Sequence, residues 1–309
     1  MEYNSSMLNT DLNVTSKYRT VIDNTQRSLE KIENSNMSIP KDSWIYDALK
    51  HAQIVEQHSR NNSLENFTSN NEIKWKTTIV FGNLSEFNLI MAQSDKLQKT
   101  SKAVFEKKLK EIVKMPLRVI DENAKTGTNQ GRNTLFELRL AARFAQSGYK
   151  PILSHDHPDI LINTEGKEYV IECKRVYSER SFTRLVCEAI DQLTNNSLQS
   201  DPNRLGVVAI SISRAFHKGD KKLSSTQANL LSEFVDKEVE KFIKKHSDYI
   251  NRVFPKNIPL LVLDFSDFAE IDKPYWVNFL YLVGTAKNLQ QSLIQSVFKD
   301  LENFRSFNE

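Results

Sequence analysis

The chain has 309 residues, of which 39% are hydrophobic and 26% are charged, and this composition excludes a chain that is disordered throughout. Its net charge of +3 permits a nucleic-acid partner without requiring one, and its two cysteines provide neither a disulfide framework nor a four-cysteine zinc site. No apolar segment approaches the roughly 18 residues that span a bilayer, and the first residues lack a signal-peptide pattern, so we expect a cytoplasmic protein without a membrane partner.

The first part of the chain is expected to be mainly helical. Residues 1–40 are polar and rich in Asn, Ser and Thr, which predicts a mobile tail or an irregular helical lead-in. Helical spacing of apolar residues predicts a helix over 44–58 and two more between 85 and 114. Between them, the composition of 61–71 predicts a loop. The apolar run 76–82 is typical of a short strand, but it is too short to be distinguished from a buried helix.

The basic segment 102–115 (KAVFEKKLKEIVKM) belongs to the second of these two helices. Its lysines could form a nucleic-acid patch, but a helix that packs on the core with a solvated polar face is the commoner arrangement. We therefore interpret the segment as a helix that packs on the core and has a solvated polar face.

A linker at 121–133 is predicted to separate a helical N-terminal region, 41–120, from a C-terminal domain, 121–309. After it come a helix over 132–148, three short strands, a helix over 181–196 and a continuous apolar strand over 204–213. A long helix (about 224–246), a strand (258–266) and a C-terminal helix (about 285–306) complete the predicted domain. The alternation of helices and strands predicts an α/β fold.

Glu137 is the first residue that a predicted apolar core does not explain. On a helical wheel it lies beside Leu140 and Ala141, whereas Arg139 and Arg143 lie on the opposite side. A carboxylate in an apolar stripe is costly to bury unless it meets a cation or a metal, and the small Ala141 leaves room for either. A structural pair with a core arginine or lysine would explain Glu137 equally well.

The strand 170–176 (VIECKRV) carries two more unexplained charges. Residues two apart in a strand point to one face, so Glu172 and Lys174 project together while Ile171 and Cys173 face the other way. Glu-x-Lys also occurs at 72–74, 106–108 and 165–167, but among the four only 172–174 lies inside a hydrophobic strand. An ion pair on an edge strand remains the alternative explanation.

Asp159 opens the preceding strand, 13 residues upstream of Glu172, in a Pro-Asp dipeptide that occurs once in the chain. If the two strands form a hairpin around 163–167, Asp159 lies near Glu172. Two carboxylates on adjacent strands can share a hard cation such as Mg²⁺ or Mn²⁺, which polarises a phosphate and lowers the pKa of a bound water. A neighbouring lysine, here Lys174, can orient that water or neutralise the charge that develops on phosphorus.

Pro158-Asp159, followed by Glu172-Cys173-Lys174 and preceded by a helix that carries Glu137, resembles the motif of the PD-(D/E)xK nuclease superfamily. That superfamily includes restriction endonucleases, Holliday-junction resolvases and phage-defence effectors. The order helix, three strands, helix, strand over 132–213 matches its common core. The resemblance therefore implies a restriction-endonuclease-like core, with a mixed central sheet flanked by helices, behind a mainly helical N-terminal region.

The resemblance also implies a role for each motif residue. Asp159 and Glu172 would hold Mg²⁺ or Mn²⁺, and Lys174 would assist the attacking water. Glu137 would complete the metal shell or bind a second ion.

Four further residues are expected to contact nucleic acid. Gln192, on the helix after the motif strand, is similar to a glutamine that some members of the superfamily place near the site. The other three follow the motif strand and would bind phosphates: Arg175, Arg180 and Arg184. The basic segment 217–222 could bind phosphates as well, although a mobile surface loop is the commoner case.

The leading hypothesis is therefore a metal-dependent nuclease that cleaves DNA. It would act as an endonuclease in bacterial restriction or antiviral defence. The alternative is a catalytically silent protein of the same fold that binds nucleic acid or a partner protein. An RNA substrate, a homodimer and an activating partner all stay open. A zinc site at His155 and His157 is disfavoured, because no third ligand follows at a plausible local spacing.

Overall fold

A computed structural model describes residues 3–8, 14–35, 37–118, 121–122, 129–164, 166–198, 203–216, 223–224, 228–271, 273–285 and 297. Within these ranges the chain is α/β, with one mixed sheet and a mainly helical N-terminal part. Its helices are α1 (Val14–Asn34), α2 (Trp44–Arg60), α3 (Leu64–Phe67), α4 (Asn71–Ala92), α5 (Ser94–Val113), α6 (Gln130–Gln146), α7 (Glu179–Asn196), α8 (Ser213–Phe216) and α9 (Ala228–Val253). Its strands are β1 (Tyr3–Leu8), β2 (Ile152–Leu153), β3 (Ile160–Thr164), β4 (Lys167–Arg175), β5 (Arg204–Ser211), β6 (Leu223–Ser224), β7 (Leu260–Ile271) and β8 (Lys273–Gly284).

The sheet has the strand order β1-β8-β7-β5-β4-β3-β2, and β6 pairs with β7 beside this path. The pairs β4–β5, β5–β7 and β6–β7 are parallel, whereas the remaining neighbours are antiparallel. A parallel pair needs a long crossover, and α7 provides it between β4 and β5. The predicted order of helix, three strands, helix and strand over 132–213 is thus present as α6, β2–β4, α7 and β5.

The sheet separates two hydrophobic cores, and this explains the continuous apolar runs of its central strands. Ile171 and Val207 face a core that they share with α1, α2, α4, α5 and α6. Their chain neighbours Val170 and Val208 face a second core, shared with α7 and α9. Because both faces of the strands are buried, apolar residues occur at consecutive positions instead of alternating with polar ones.

Helix α6 is anchored by a buried ion-pair cluster on the side away from Glu137. Arg139 contacts both Glu86 of α4 and Asp264 of β7, and all three side chains are buried. A buried arginine between two carboxylates is strongly oriented, because losing either partner would leave an uncompensated charge. The cluster therefore ties the N-terminal helices to the sheet through α6.

Three expectations about local structure are corrected. The run 76–82 is not a strand; it lies in α4, which packs against α1, α2, α6 and β8 and is buried on most sides, so it lacks the polar stripe that identifies a helix. Residues 14–34, expected to be mobile or irregular, form the regular helix α1, and residues 3–8 form β1. The expected loop 61–71 contains the single-turn helix α3.

The remaining predictions concern the C-terminal half of the chain, the domain boundary and membrane-spanning helices. The C-terminal helix predicted at about 285–306 lies outside the described residues, apart from residues 285 and 297, and so does the basic segment 217–222. The apolar segment 276–284, to which no structure was assigned, belongs to β8. A domain boundary near 121 stays a prediction, although the first core contains residues from both sides of it. Among the described helices, none combines the length and the apolar character that a membrane span requires.

Candidate active site

A cavity of about 350 Å³ opens where the carboxyl end of β4 meets α5, α6 and α7. All four residues predicted to carry the chemistry line it: Glu137, Asp159, Glu172 and Lys174. They come from α6, from the residue before β3, and from β4. Residues that are far apart in the chain thus converge on one concave site, which is the usual form of a binding or catalytic site.

The β3–β4 hairpin brings Asp159 beside Glu172, as the sequence predicted. The antiparallel register pairs Ile160 with Ile171, so Asp159, just before Ile160, is a neighbour of Glu172, just after Ile171. Asp159 Oδ2 accepts a hydrogen bond of 2.7 Å from the backbone N–H of Cys173. This bond fixes the aspartate carboxylate against the motif strand.

Glu172 is fully buried, and its two oxygens differ in their surroundings. Oε1 accepts a hydrogen bond of 2.8 Å from Lys174 Nζ. Oε2 is buried too, and it accepts no hydrogen bond from the described part of the chain. A buried carboxylate oxygen without a donor is costly, so Oε2 offers a free ligand to a cation.

Burial shifts the acidity of this cluster. Desolvation, and then the neighbouring Asp159 charge, raise the pKa of Glu172. Desolvation also raises the pKa of Asp159, although the hydrogen bond from Cys173 opposes the shift. For Lys174, burial alone would lower the pKa, but its pairing with Glu172 outweighs burial and raises it. The cluster therefore contains a charged lysine beside carboxylates that bind protons more tightly than usual.

Glu137 is paired with a residue that sequence reasoning missed. Its Oε2 contacts Nζ of Lys108 on α5, and both side chains are about 90% buried. Lys108 also lines the cavity, so the basic segment 102–115 contributes to the site and is not confined to a solvated face. Its position three residues after Phe105 and four before Ile112 puts it on the apolar stripe of α5, a signal that could have identified it.

Gly131 explains how α5 and α6 come close enough for this pair. A side chain at that position would place its Cβ 2.7 Å from the backbone oxygen of Glu111 and 2.7 Å from Cβ of Met115. Neither contact is sterically acceptable, so the crossing of the two helices depends on a residue without a side chain. The close crossing lets Lys108 reach Glu137.

We expect Glu137 to make the metal-free protein less stable as the pH rises. Burial, and next the charge of Asp159, raise the pKa of Glu137 from 4.5 to about 7. The native state therefore binds this proton more tightly than the unfolded state, and the unfolding free energy falls between about pH 4.5 and pH 7, by roughly 3 kcal/mol at most. Urea unfolding in EDTA across this range should show a shallower fall for Glu137→Gln; equal pH profiles for both proteins would contradict the assignment.

Only some of the residues that were predicted to bind nucleic acid line the cavity. Arg175 lines the cavity, but it also pairs with the buried Glu122 at 3.2 Å. Arg184 is exposed and pairs with Glu188 at 2.9 Å, and Arg180 is exposed.

Glu122 was not singled out by the sequence, yet it organises a cluster of arginines beside the cavity. It pairs with Arg132 at 2.8 Å and with Arg214 at 3.1 Å, as well as with Arg175. The guanidinium groups of Arg175 and Arg214 also lie over the ring of Tyr177, at 5.7 and 4.9 Å from its centroid. One carboxylate thus holds three cations, and the cluster keeps an excess of positive charge.

His157 lies near two possible co-ligands, although zinc at the two histidines was disfavoured because no third ligand follows at a plausible local spacing. Ligand atoms of His157, Asp159 and Glu172 all lie within 4.8 Å of one another. Asp159 is two residues away in the sequence, whereas Glu172 is brought to His157 by the fold, since it lies on β4. His155 lines the cavity as well but does not belong to this group of three.

The arrangement has the properties of a site for a hard divalent cation, because oxygen ligands converge at its centre with a lysine alongside. Lysines and arginines around the rim favour a substrate that carries phosphates. No protein-family model matches the chain, and neither a curated protein nor a solved structure does.

Proposed function

We propose that the chain is a divalent-metal-dependent nuclease of the PD-(D/E)xK type, with a restriction-endonuclease-like core, that hydrolyses phosphodiester bonds in DNA. The observation that carries the proposal is the convergence of Asp159, Glu172 and Lys174 on one cavity. The order of α6, β2–β4, α7 and β5 around that cavity supports the fold assignment.

The residues present fit a metal ion. Glu172 Oε2 is buried without a hydrogen-bond donor among the described residues, and Asp159 supplies a second carboxylate from the adjacent strand. These two residues would hold Mg²⁺ or Mn²⁺, and the bound ion would supply Lewis acidity and a lowered pKa for a water ligand.

Lys174 is placed to act on the incoming water or on the phosphate. Its ammonium group is fixed by Glu172 at 2.8 Å and is about 86% buried, so its charge is weakly screened by solvent. A charge held in this way stabilises the negative charge that builds up on the phosphate oxygens during attack. Its hydrogen atoms can also orient a water molecule for in-line attack.

Glu137 and Lys108 also line the cavity and contact each other. Because the pKa of Glu137 is about 7, its carboxyl group exchanges a proton readily near neutral pH. The contact with Lys108 holds the Glu137 carboxyl group in place. We assign Glu137 to proton transfer or to completion of the ligand shell.

The test is an assay of the purified full chain on supercoiled plasmid, linear duplex DNA and RNA, with Mg²⁺, with Mn²⁺ or with EDTA. We expect both DNA substrates to be cleaved with either metal and none to be cleaved in EDTA. Conversion of supercoiled plasmid to nicked circles would identify an endonuclease. Cleavage of RNA alone would overturn the substrate assignment, and the absence of all cleavage would favour the catalytically silent alternative.

A further inference from the structure

His157 connects the carboxylate cluster to α7. Its Nδ1 lies 2.8 Å from Glu172 Oε1, and its Nε2 lies 3.0 Å from Nε2 of Gln192. About a third of the side chain is exposed, at the mouth of the cavity. The imidazole therefore lies between the most buried carboxylate of the site and an amide group of the neighbouring helix.

The spacing of these atoms is that of a shared ligand shell. In an octahedral shell with bonds of about 2.1 Å, adjacent ligand atoms are about 3.0 Å apart and opposite ones about 4.2 Å. The 2.8 Å between His157 Nδ1 and Glu172 Oε1, a distance that also suits a hydrogen bond, fits an adjacent pair. A ligand atom of Asp159 lies within 4.8 Å of both residues, so Asp159 would have to close in at most slightly to join the shell. The buried Glu172 Oε2 has no donor in the described chain, and this is an independent indication that the site binds a cation.

Gln192 can select the form of the imidazole that binds a metal. Nδ1 is a ligand only when the ring proton is on Nε2, and that N–H then needs an acceptor. Gln192 Oε1 is buried and has no hydrogen-bond partner among the described residues. A half-turn of the amide would place this oxygen beside His157 Nε2, where it can accept the ring N–H.

We propose that His157 is a nitrogen ligand of the divalent ion, and that Gln192 is a positioning residue that fixes its tautomer. The inference rests on the proposed metal site and deepens it. Ligating histidines ordinarily donate their second N–H to an oxygen, and Gln192 supplies that oxygen here. Because imidazole suits transition metals better than Mg²⁺, the site is selective for Mn²⁺ over Mg²⁺.

The experiment uses the full chain with Mn²⁺ alone and detects ¹⁴N nuclei bound to the metal by pulsed electron paramagnetic resonance. We expect a directly coordinated ¹⁴N signal that disappears in His157→Gln and persists in the matched control His155→Gln. Circular dichroism checks that each variant is folded. If His157→Gln is not folded, His157→Asn takes its place.

Metal titrations give a second readout that does not depend on cleavage. His157→Gln should weaken Mn²⁺ binding by about tenfold or more and Mg²⁺ binding by less, so the preference for Mn²⁺ shrinks. Gln192→Met should weaken Mn²⁺ binding by about tenfold, because outer-shell partners typically contribute that much or more. Gln192→Glu keeps an acceptor oxygen and should restore the affinity.

The outcomes separate this inference from the proposed function. Bound Mn²⁺ without a ¹⁴N signal, or with a signal that survives in His157→Gln, would overturn the inference and leave the nuclease proposal standing. A wild-type chain that binds no Mn²⁺ would overturn both. A ¹⁴N signal that depends on His157, in a chain that cleaves no nucleic acid, would support the inference and contradict the nuclease proposal.

Discussion

Replacing Lys174 by alanine is expected to lower the rate of DNA cleavage by at least about 100-fold, because a buried cation beside the reacting phosphate contributes that much or more. The variant should remain folded. Burial and Asp159 already raise the pKa of Glu172, so this carboxyl group can take up a proton once its lysine partner is gone. The measurement is the single-turnover rate of plasmid nicking, together with a thermal melt.

Lys167 offers the matched control, since it lies at the start of the same strand and belongs to a second Glu-x-Lys sequence. Lys167→Ala should cleave at nearly the wild-type rate. If Lys174→Ala kept more than a third of the wild-type activity, the lysine would be a structural partner of Glu172, and the proposed catalytic role would be lost.

Glu172→Gln is expected to abolish metal-dependent cleavage and at the same time to stabilise the metal-free protein. The carboxylate is fully buried, and both its burial and the charge of Asp159 disfavour its ionised form. A neutral group of the same shape removes that cost, and we expect a gain of about 1 kcal/mol at pH 8, since the loss of the Lys174 pair offsets part of it. Urea unfolding in EDTA measures the change.

The same variant should lose the stabilisation that Mg²⁺ or Mn²⁺ gives to the wild-type protein, because a ligand that binds the native state alone raises its stability. Glu188→Gln is the control: Glu188 also lines the cavity, 3.9 Å from Lys174, but it is half-exposed. Its replacement should change neither stability nor metal response by much. A loss of several kcal/mol in Glu172→Gln would show instead that the cluster is a structural ion-pair network.

The central strands and the core of the site could be predicted because their signals are local. Alternation along β4 places Glu172 and Lys174 on one face, and the pairing of β3 with β4 brings Asp159 to them. Both inferences need only a short stretch of chain, and the structure agrees with them. Their chemical role remains a prediction.

The remaining parts of the site depend on contacts between distant elements. The partner of Glu137 was left open between arginine and lysine, because the crossing of α5 and α6 is set by the close approach at Gly131. The three arginines around Glu122 come from α6, β4 and α8, up to 92 residues away. Such pairings are decided by tertiary packing, which periodicity within one element does not record.

The strand expected at 76–82, within α4, was wrong for a related reason. A helix that is covered by neighbours on most sides has no polar face, and a short apolar run within it resembles a buried strand. Only the length of the helix, 22 residues, separates the two, and Thr and Asn within it hid that length. The burial of α4 depends on its packing against distant elements, which the local sequence does not show.

The pairing of β1 with β8 has a kinetic consequence. Tyr3 lies opposite Val283, so two strands separated by nearly all of the described chain must meet before this edge of the sheet is covered. Contacts of such long range form late, because the entropy of closing the intervening loop opposes them. Until they form, β8 presents an open row of backbone N–H and C=O groups to other chains. During folding the protein is therefore vulnerable to self-association at the edge far from its cavity, long after the β3–β4 hairpin has been made.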